Sequence, residues 1–284
     1  MIVSTALSRI LERRFSSFLC IQAEHSANRA AFELARQRGV PTFDAVIRAN
    51  LRPNDFATHI NRGLNDIREA PKSTSWRKFA TEPLSQQQVD EVALDTRARI
   101  AGHHPIPYAG HWDSIQLKAT KERWGTGDRR KVALVTLSSP DEYETSEFVG
   151  EITPTRSVDF IGTQELLIKE VVDFARDNAD DWLVIVRPHP RLYPNIRESR
   201  QASVVPRLEA LLKQLPENVV VDHPRDGTAL YNLLPIVSVG VNVRSTAGLE
   251  MLSLGIPVVH FDASLVTAYP PDISASEASI ASQP

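Results

Sequence analysis

Between Asp181 and Phe261 the chain repeats one arrangement, a short apolar run followed by a polar loop and a helix-like stretch. The runs are Leu183 to Val186, Val219 to Val221 and Ile236 to Val241, and a fourth closes at Pro257 to Phe261. Runs this short without polar alternation belong to strands covered on both faces, which is the condition of a parallel sheet with helical crossovers. The fold class expected is therefore α/β. Polar residues stand where strands give way to loops: Arg187 and His189 after the first, and Arg244, Ser245 and Thr246 after the third, with Glu250 one turn further on. An open parallel sheet binds its ligands at the carboxyl ends of its strands, so these residues are expected to converge.

Their chemistry suits an anionic, hydroxyl-bearing ligand. Two hydroxyls at a helix start, Ser245 and Thr246, add side-chain donors to free backbone N–H groups and the positive end of the helix dipole, a combination that favours phosphate. Glu250 can accept from the vicinal hydroxyls of a ribose. Arg187 and His189 supply cationic and neutral donors for a diphosphate or sugar phosphate. Taken singly, each has a plainer reading: Ser245 as an N-cap, His189 as a stiffener of a proline-flanked loop, Glu250 as a first-turn charge. Joint placement at successive strand ends favours the binding reading.

His189-Pro190 at a strand end, the run Ser245-Thr246-Ala247-Gly248-Leu249-Glu250, and Gly255-Ile256-Pro257 together resemble the nucleotide-binding half of GT-B glycosyltransferases. The resemblance is greatest to bacterial capsule polysaccharide biosynthesis proteins of the Kdo- and sialic-acid-transferase kind, and it runs from about Lys131 to Asp262. Their strand entering a Ser-Ser loop with a nearby acid is matched by Val132 to Leu137, Ser138, Ser139, Asp141 and Glu142. The resemblance implies a nucleotide-sugar donor, a CMP-sugar in particular, with Ser138, Ser139, Arg187, His189, Ser245, Thr246 and Glu250 contacting it. It also implies a GT-B-like architecture, a glycan or glycolipid acceptor and no separate cofactor. Many retaining enzymes of this fold carry a second glutamate eight positions before the one matched by Glu250. Here that position is Asn242, which points to an inverting reaction.

Composition sets outer limits. The 284 residues suffice for two domains, and a net charge of −3 without a basic tract argues against nucleic acid as a partner. Cys20 is the only cysteine, so an internal disulfide is excluded and a reducing compartment is the simplest inference. No apolar run approaches the roughly 20 residues of a membrane span. Arg9, Arg13 and Arg14 near the start lack the apolar core of a signal peptide. A cytoplasmic location follows, with peripheral association at the cytoplasmic face of the inner membrane as a further expectation.

Residues 1–125 are expected to form a shortened acceptor-side α/β domain and linker, 126–269 the nucleotide-sugar-binding Rossmann-like domain, and 270–284 a disordered tail rich in Ser, Ala and Pro. Within the first part, Phe18 to Gln22 and Thr42 to Ile47 are strand candidates. Ser26 to Arg38 and Leu84 to Ile100 read as helices, the former stopped by Gly39. The segment from Cys20 through Gly39-Val40-Pro41 to Gly63-Leu64-Asn65 resembles the end of the acceptor-side domain of capsule transferases. Gly102 to Arg130, with its glycines, prolines and histidines, reads as an irregular connection. His103, His104 and His111 lack the cysteine or carboxylate spacing of a metal site. No internal repeat is expected.

In the expected mechanism His189 acts at the leaving phosphate, and a general base comes from the acceptor side: Glu24 or His25, or Asp141 or Glu142. Two rivals share the fold. A non-hydrolysing UDP-sugar 2-epimerase would need catalytic carboxylates and a basic uridine site that are incomplete here. A truncated, non-catalytic nucleotide-binding subunit would explain the short first half.

Overall fold

The computed structural model describes residues 15–21, 26–49, 56–62, 82–103, 113–124, 131–139, 160–195, 199–243, 245–260 and 274–276. The chain divides into two compact units, Met1–Glu82 with Glu144–Thr153 and Pro83–Tyr143 with Pro154–Pro284.

The first unit holds β1 (Phe18–Ile21), α1 (Ser26–Gln37), β2 (Thr42–Ala49) and β3 (Phe56–Arg62). β1 and β2 are parallel and β3 returns antiparallel to β2, giving the order β1-β2-β3. α1 stops before Gly39, which takes the left-handed φ of 72° that a glycine adopts without a Cβ penalty. Phe32 and Ala35 of α1 are fully buried, and Phe32 packs with Cys20 and Phe18 of β1. β3 is an addition to the sequence reading. Its run is too mixed to announce a strand, and pairing with β2 makes it one.

The second unit opens with α2 (Gln86–Ile100) and α3 (Ser114–Trp124), followed by β4 (Lys131–Thr136), α4 (Phe160–Asp177) and β5 (Trp182–Arg187). A 3-10 turn at Pro190–Leu192 leads to α5 (Val205–Leu211) and β6 (Val219–Val221), and a second turn at Pro224–Asp226 leads to α6 (Leu230–Leu233). After a third turn at Leu234–Ile236 come β7 (Val239–Asn242), α7 (Ala247–Ser253), β8 (Val258–His260) and β9 (Ser274–Ser276). The six strands lie in the order β6-β5-β4-β7-β8-β9, every neighbouring pair parallel.

Both faces of this sheet are covered, which is why β4 and β5 read as continuous apolar runs. Ala133, Val135, Val184 and Val186 face α4 and α5, packing with Leu167, Val171 and Leu208. Val132, Leu134, Leu183 and Ile185 face the other way, against Tyr231, Leu233 and Met251 of α6 and α7. Burial of each such Val, Leu or Ile side chain is worth about 1.5–3 kcal/mol. Gly240 permits the close seat of α7 on β7, since a Cβ there would meet Met251 Sδ at 2.6 Å.

Four expectations need correction. The boundary expected at 125/126 is replaced by a division at Glu82, because α2 and α3 belong with the parallel sheet: Ile100 and Trp124 pack on its core, and Arg123 pairs with Asp226 at 2.9 Å. The connection from Gly102 to Arg130 is not wholly irregular, for it contains α3, whose Ile115 N–H is capped by Asp113 at 2.8 Å. The run Ile236 to Val241 begins as a turn rather than a strand, since Pro235 cannot donate to a ladder. The tail expected to be disordered over 270–284 contains a strand, because Ser274–Ser276 pair with β8, whose outer edge offers main-chain partners to a polar segment without demanding apolar side chains. Among the described residues no helix is long and apolar enough to cross a membrane.

Candidate functional site

The chain leaves β4 for β5 and β6 on one side, then crosses back to place β7 and β8 on the other. The carboxyl ends of β4 and β7 are thus the topological switch point, where crossovers leave in opposite directions and open a crevice. Four polar residues stand in register across that edge. Arg187 of β5 pairs with Thr136 of β4, Thr136 with Asn242 of β7, and Asn242 with His260 of β8.

A cavity of 90 Å³ opens there, lined by Thr136, Arg187, His189, Leu230, Ser245, Thr246 and Glu250 among others. Five of the seven residues expected to bind a nucleotide therefore share one cavity. His189, held between Pro188 and Pro190, accepts the Arg191 backbone N–H on Nδ1 at 3.2 Å. An accepting Nδ1 carries no proton, so this bond assigns the neutral tautomer with Nε2–H as donor.

Arg187 lines the cavity but is committed elsewhere. Its guanidinium pairs with Asp222 and donates to the Thr228 carbonyl at 2.8 Å. Asp222 is 1% exposed, and burial pushes its carboxyl up despite the opposing charge of Arg187. The ion pair is thus part of the cavity wall.

Ser245 is not the cap of α7, a place taken by Thr246, whose side chain makes no cap bond. Ser245 Oγ instead accepts from the Ala247 N–H at 3.3 Å, within a turn clamped by Asn242. The Asn242 side chain accepts from the Ser245 N–H at 2.7 Å and donates to the Ser245 carbonyl at 2.6 Å. Asn242 is fully buried, so its role is to shape the loop. α7 has only 7 residues, so its contribution to an anion is mostly the local N–H groups and hydroxyls rather than a long dipole.

Glu250 is 9% exposed, and Oε2 has no hydrogen-bond partner among the described residues. The Thr136 hydroxyl is in the same condition, buried and unpartnered beside the cavity. Ser138 and Ser139 follow Thr136 and Leu137 but do not line the cavity. Ser138 is committed inside the fold: its hydroxyl donates to the Val243 carbonyl and its N–H to Gln164 Oε1 at 3.1 Å. Ser139 is buried with its hydroxyl unpartnered among the described residues. Arg244, Glu24, His25, Asp141 and Glu142 lie outside the described residues.

The sequence reading also passed over a small repeat. His-Pro-Arg occurs at 189–191 and again at 223–225, each time capping a 3-10 turn at a strand end. His223 Nδ1 accepts from the Arg225 N–H at 3.1 Å, as His189 does from Arg191, and its ring meets Tyr193 edge to face at 4.3 Å. Asp222 was missed for another reason, since it matters through Arg187, a partner distant in sequence.

No protein-family model matches the sequence, and no curated protein does. Among solved structures, the KpsC β-Kdo 2,4 transferase of Thermosulfurimonas dismutans superposes with a TM-score of 0.52 at 13% identity, over 93% of this chain and 73% of that one. The chain shares that fold. It is α/β and GT-B-like, with a Rossmann-like parallel sheet in the C-terminal part and a short N-terminal α/β part. Two weaker likenesses are to the KpsC β-Kdo 2,7 transferase of the same organism, with a TM-score of 0.44 at 11% identity over 96% of this chain and 73% of that one, and to a Listeria monocytogenes protein assigned as a UDP-N-acetylglucosamine 2-epimerase. The latter has a TM-score of 0.32 at 12% identity over 91% of this chain and 61% of that one. At 13% identity the likeness to the KpsC β-Kdo 2,4 transferase is one of fold.

Proposed function

We propose that this chain is an inverting glycosyltransferase of capsule or surface polysaccharide synthesis that uses a CMP-linked sugar donor. The observation that carries the reading is the cavity at the switch point, where His189 in its Nε2–H form, the hydroxyls of Ser245 and Thr246, and the carboxylate of Glu250 converge. Ser245 and Thr246 contact phosphate, Glu250 accepts from ribose hydroxyls, and His189 donates to the phosphate oxygen that becomes the leaving group. The cytidine specificity and the surface-glycan setting rest on the motif resemblance, in which His189-Pro190 and the Ser245 to Glu250 run match capsule transferases.

In the displacement, an acceptor hydroxyl oxygen bonds to the anomeric carbon as the bond from that carbon to phosphate breaks. The electron pair leaves on the phosphate oxygen, where Nε2–H of His189 meets the growing charge. A base on the acceptor side takes the hydroxyl proton, and Glu24 and Glu142 are the residues assigned to that role. Asn242 supports the inverting course, because its amide is consumed in shaping the 242–245 turn and offers no carboxylate to the sugar. On this reading the N-terminal part receives a glycan or glycolipid acceptor, and the protein works at the cytoplasmic face of the inner membrane.

The test is thermal stabilisation by CMP, CDP, UMP, UDP and GDP, since a ligand bound by the native state raises apparent stability by mass action. Cytidine nucleotides are expected to stabilise most. Equal or greater stabilisation by uridine nucleotides counts against the reading and in favour of the epimerase.

A further inference from the structure

Beside the cavity, α6 and α7 each bury a polar group that lacks a hydrogen-bond partner among the described residues. Tyr231 of α6 is 3% exposed, and its hydroxyl has no hydrogen-bond partner of good geometry among the described residues. Glu250 Oε2, on α7, is in the same state. Tyr231 packs in one apolar cluster with Ala247 and Met251, which flank Glu250 on α7, and its neighbour Leu230 lines the cavity together with Glu250. The phenol and the carboxylate are within reach of each other: after burial itself, hydrogen bonding to Glu250 and the charge of Glu250 are what push the Tyr231 hydroxyl up. Both atoms are buried and unpartnered, and a bond between them would satisfy each.

The chemistry allows one direction only. An ionised carboxylate accepts and a neutral phenol donates, and a buried pair of this kind is costly if left unmade. Glutamate has a long, freely rotating side chain, so on its own Glu250 is a poorly defined acceptor. Fixing one of its oxygens defines the lone pairs of the other.

We propose that Tyr231 is a positioning residue for Glu250, its hydroxyl holding Oε2 so that Oε1 is presented to the vicinal hydroxyls of a ribose in the cavity. This rests on the nucleotide reading given above. It adds a determinant of ribose recognition outside the residues that line the cavity.

The experiment measures equilibrium binding of CMP and of 2′,3′-dideoxy-CMP to the full chain as wild type, Tyr231→Phe and Glu250→Gln. The wild type is expected to prefer the ribonucleotide, and Tyr231→Phe to reduce that preference by roughly fivefold or more with little change in dideoxynucleotide affinity. A Tyr231→Phe protein that keeps the full preference and only melts lower overturns the proposal. The contact itself is read without ligand, from the melting temperatures of the two single variants and their double. Non-additive shifts support the phenol–carboxylate bond, and additive shifts overturn it. A wild type that binds both nucleotides alike, or neither, while the variants remain non-additive removes the ribose role of Glu250, and with it the positioning role, but leaves the contact standing.

Discussion

Nδ1 of His189 accepts the backbone N–H of Arg191 at 3.2 Å, and this one bond decides which ring nitrogen can donate to a ligand. The bond also caps the 3-10 turn at Pro190–Leu192. A substitution at His189 therefore removes two things, a local cap and a donor, and they can be separated.

Asparagine places its Oδ1 near the position of the histidine Nδ1, so His189→Asn keeps the cap and loses the distal donor. It is expected to melt near the wild-type temperature and to bind nucleotide with similar affinity. Its turnover at saturating donor should fall by about 10²–10³, the size of effect seen when one donor to a developing oxyanion is removed. Near wild-type turnover in folded His189→Asn would remove His189 from the mechanism.

Arg187 and Asp222 make a buried ion pair between neighbouring strand ends, with side chains 13% and 1% exposed. Asp222→Ala leaves the guanidinium unbalanced and is expected to cost about 3–5 kcal/mol. Replacing both, as Arg187→Met with Asp222→Leu, should be far milder than either single change, because no charge is then stranded. Denaturant unfolding of the three variants is the measurement, and a double variant as unstable as Asp222→Ala would mean that the pair is not the wall element described here.

Burial lowers the pKa of His260, 5% exposed at the end of β8, to about 4 from 6.5. Between those values the unfolded chain carries a proton on this ring and the folded chain does not. Stability from this group is therefore complete above about pH 6.5 and is lost as pH falls toward 4, the whole shift corresponding to roughly 3 kcal/mol. His260→Gln should flatten that part of the pH profile. Melting temperatures at pH 5 and pH 7.5 test it, and an equal acid-side loss in wild type and variant would count against it.

The strands of the parallel sheet were legible because hydrophobic burial on two faces leaves a one-dimensional trace: uninterrupted runs such as Leu183 to Val186, bounded by polar loops. The same logic located His189, Ser245, Thr246 and Glu250, since a residue that follows a buried strand must emerge at the sheet's carboxyl edge. β3 and α3 were not legible. The mixed run at Phe56–Arg62 becomes a strand by pairing with β2, and α3 is held by contacts such as Asn232 Nδ2 donating to Gln116 at 2.7 Å, across more than a hundred residues of sequence.

What the sequence determined by itself, then, is the class of fold and which loops face the ligand edge, because apolar runs and strand-end positions are local properties of a chain. Only the tertiary structure decided which of those polar groups still have bonding capacity. The strand order β5-β4-β7-β8 put Arg187, Thr136, Asn242 and His260 into one row, and through-space partners then committed Arg187 to Asp222, Ser138 to Val243 and Asn242 to the turn at Ser245. A hydrogen bond or ion pair is satisfied by whatever lies within about 3 Å in space, and strand register and helix packing set that neighbourhood independently of separation along the chain.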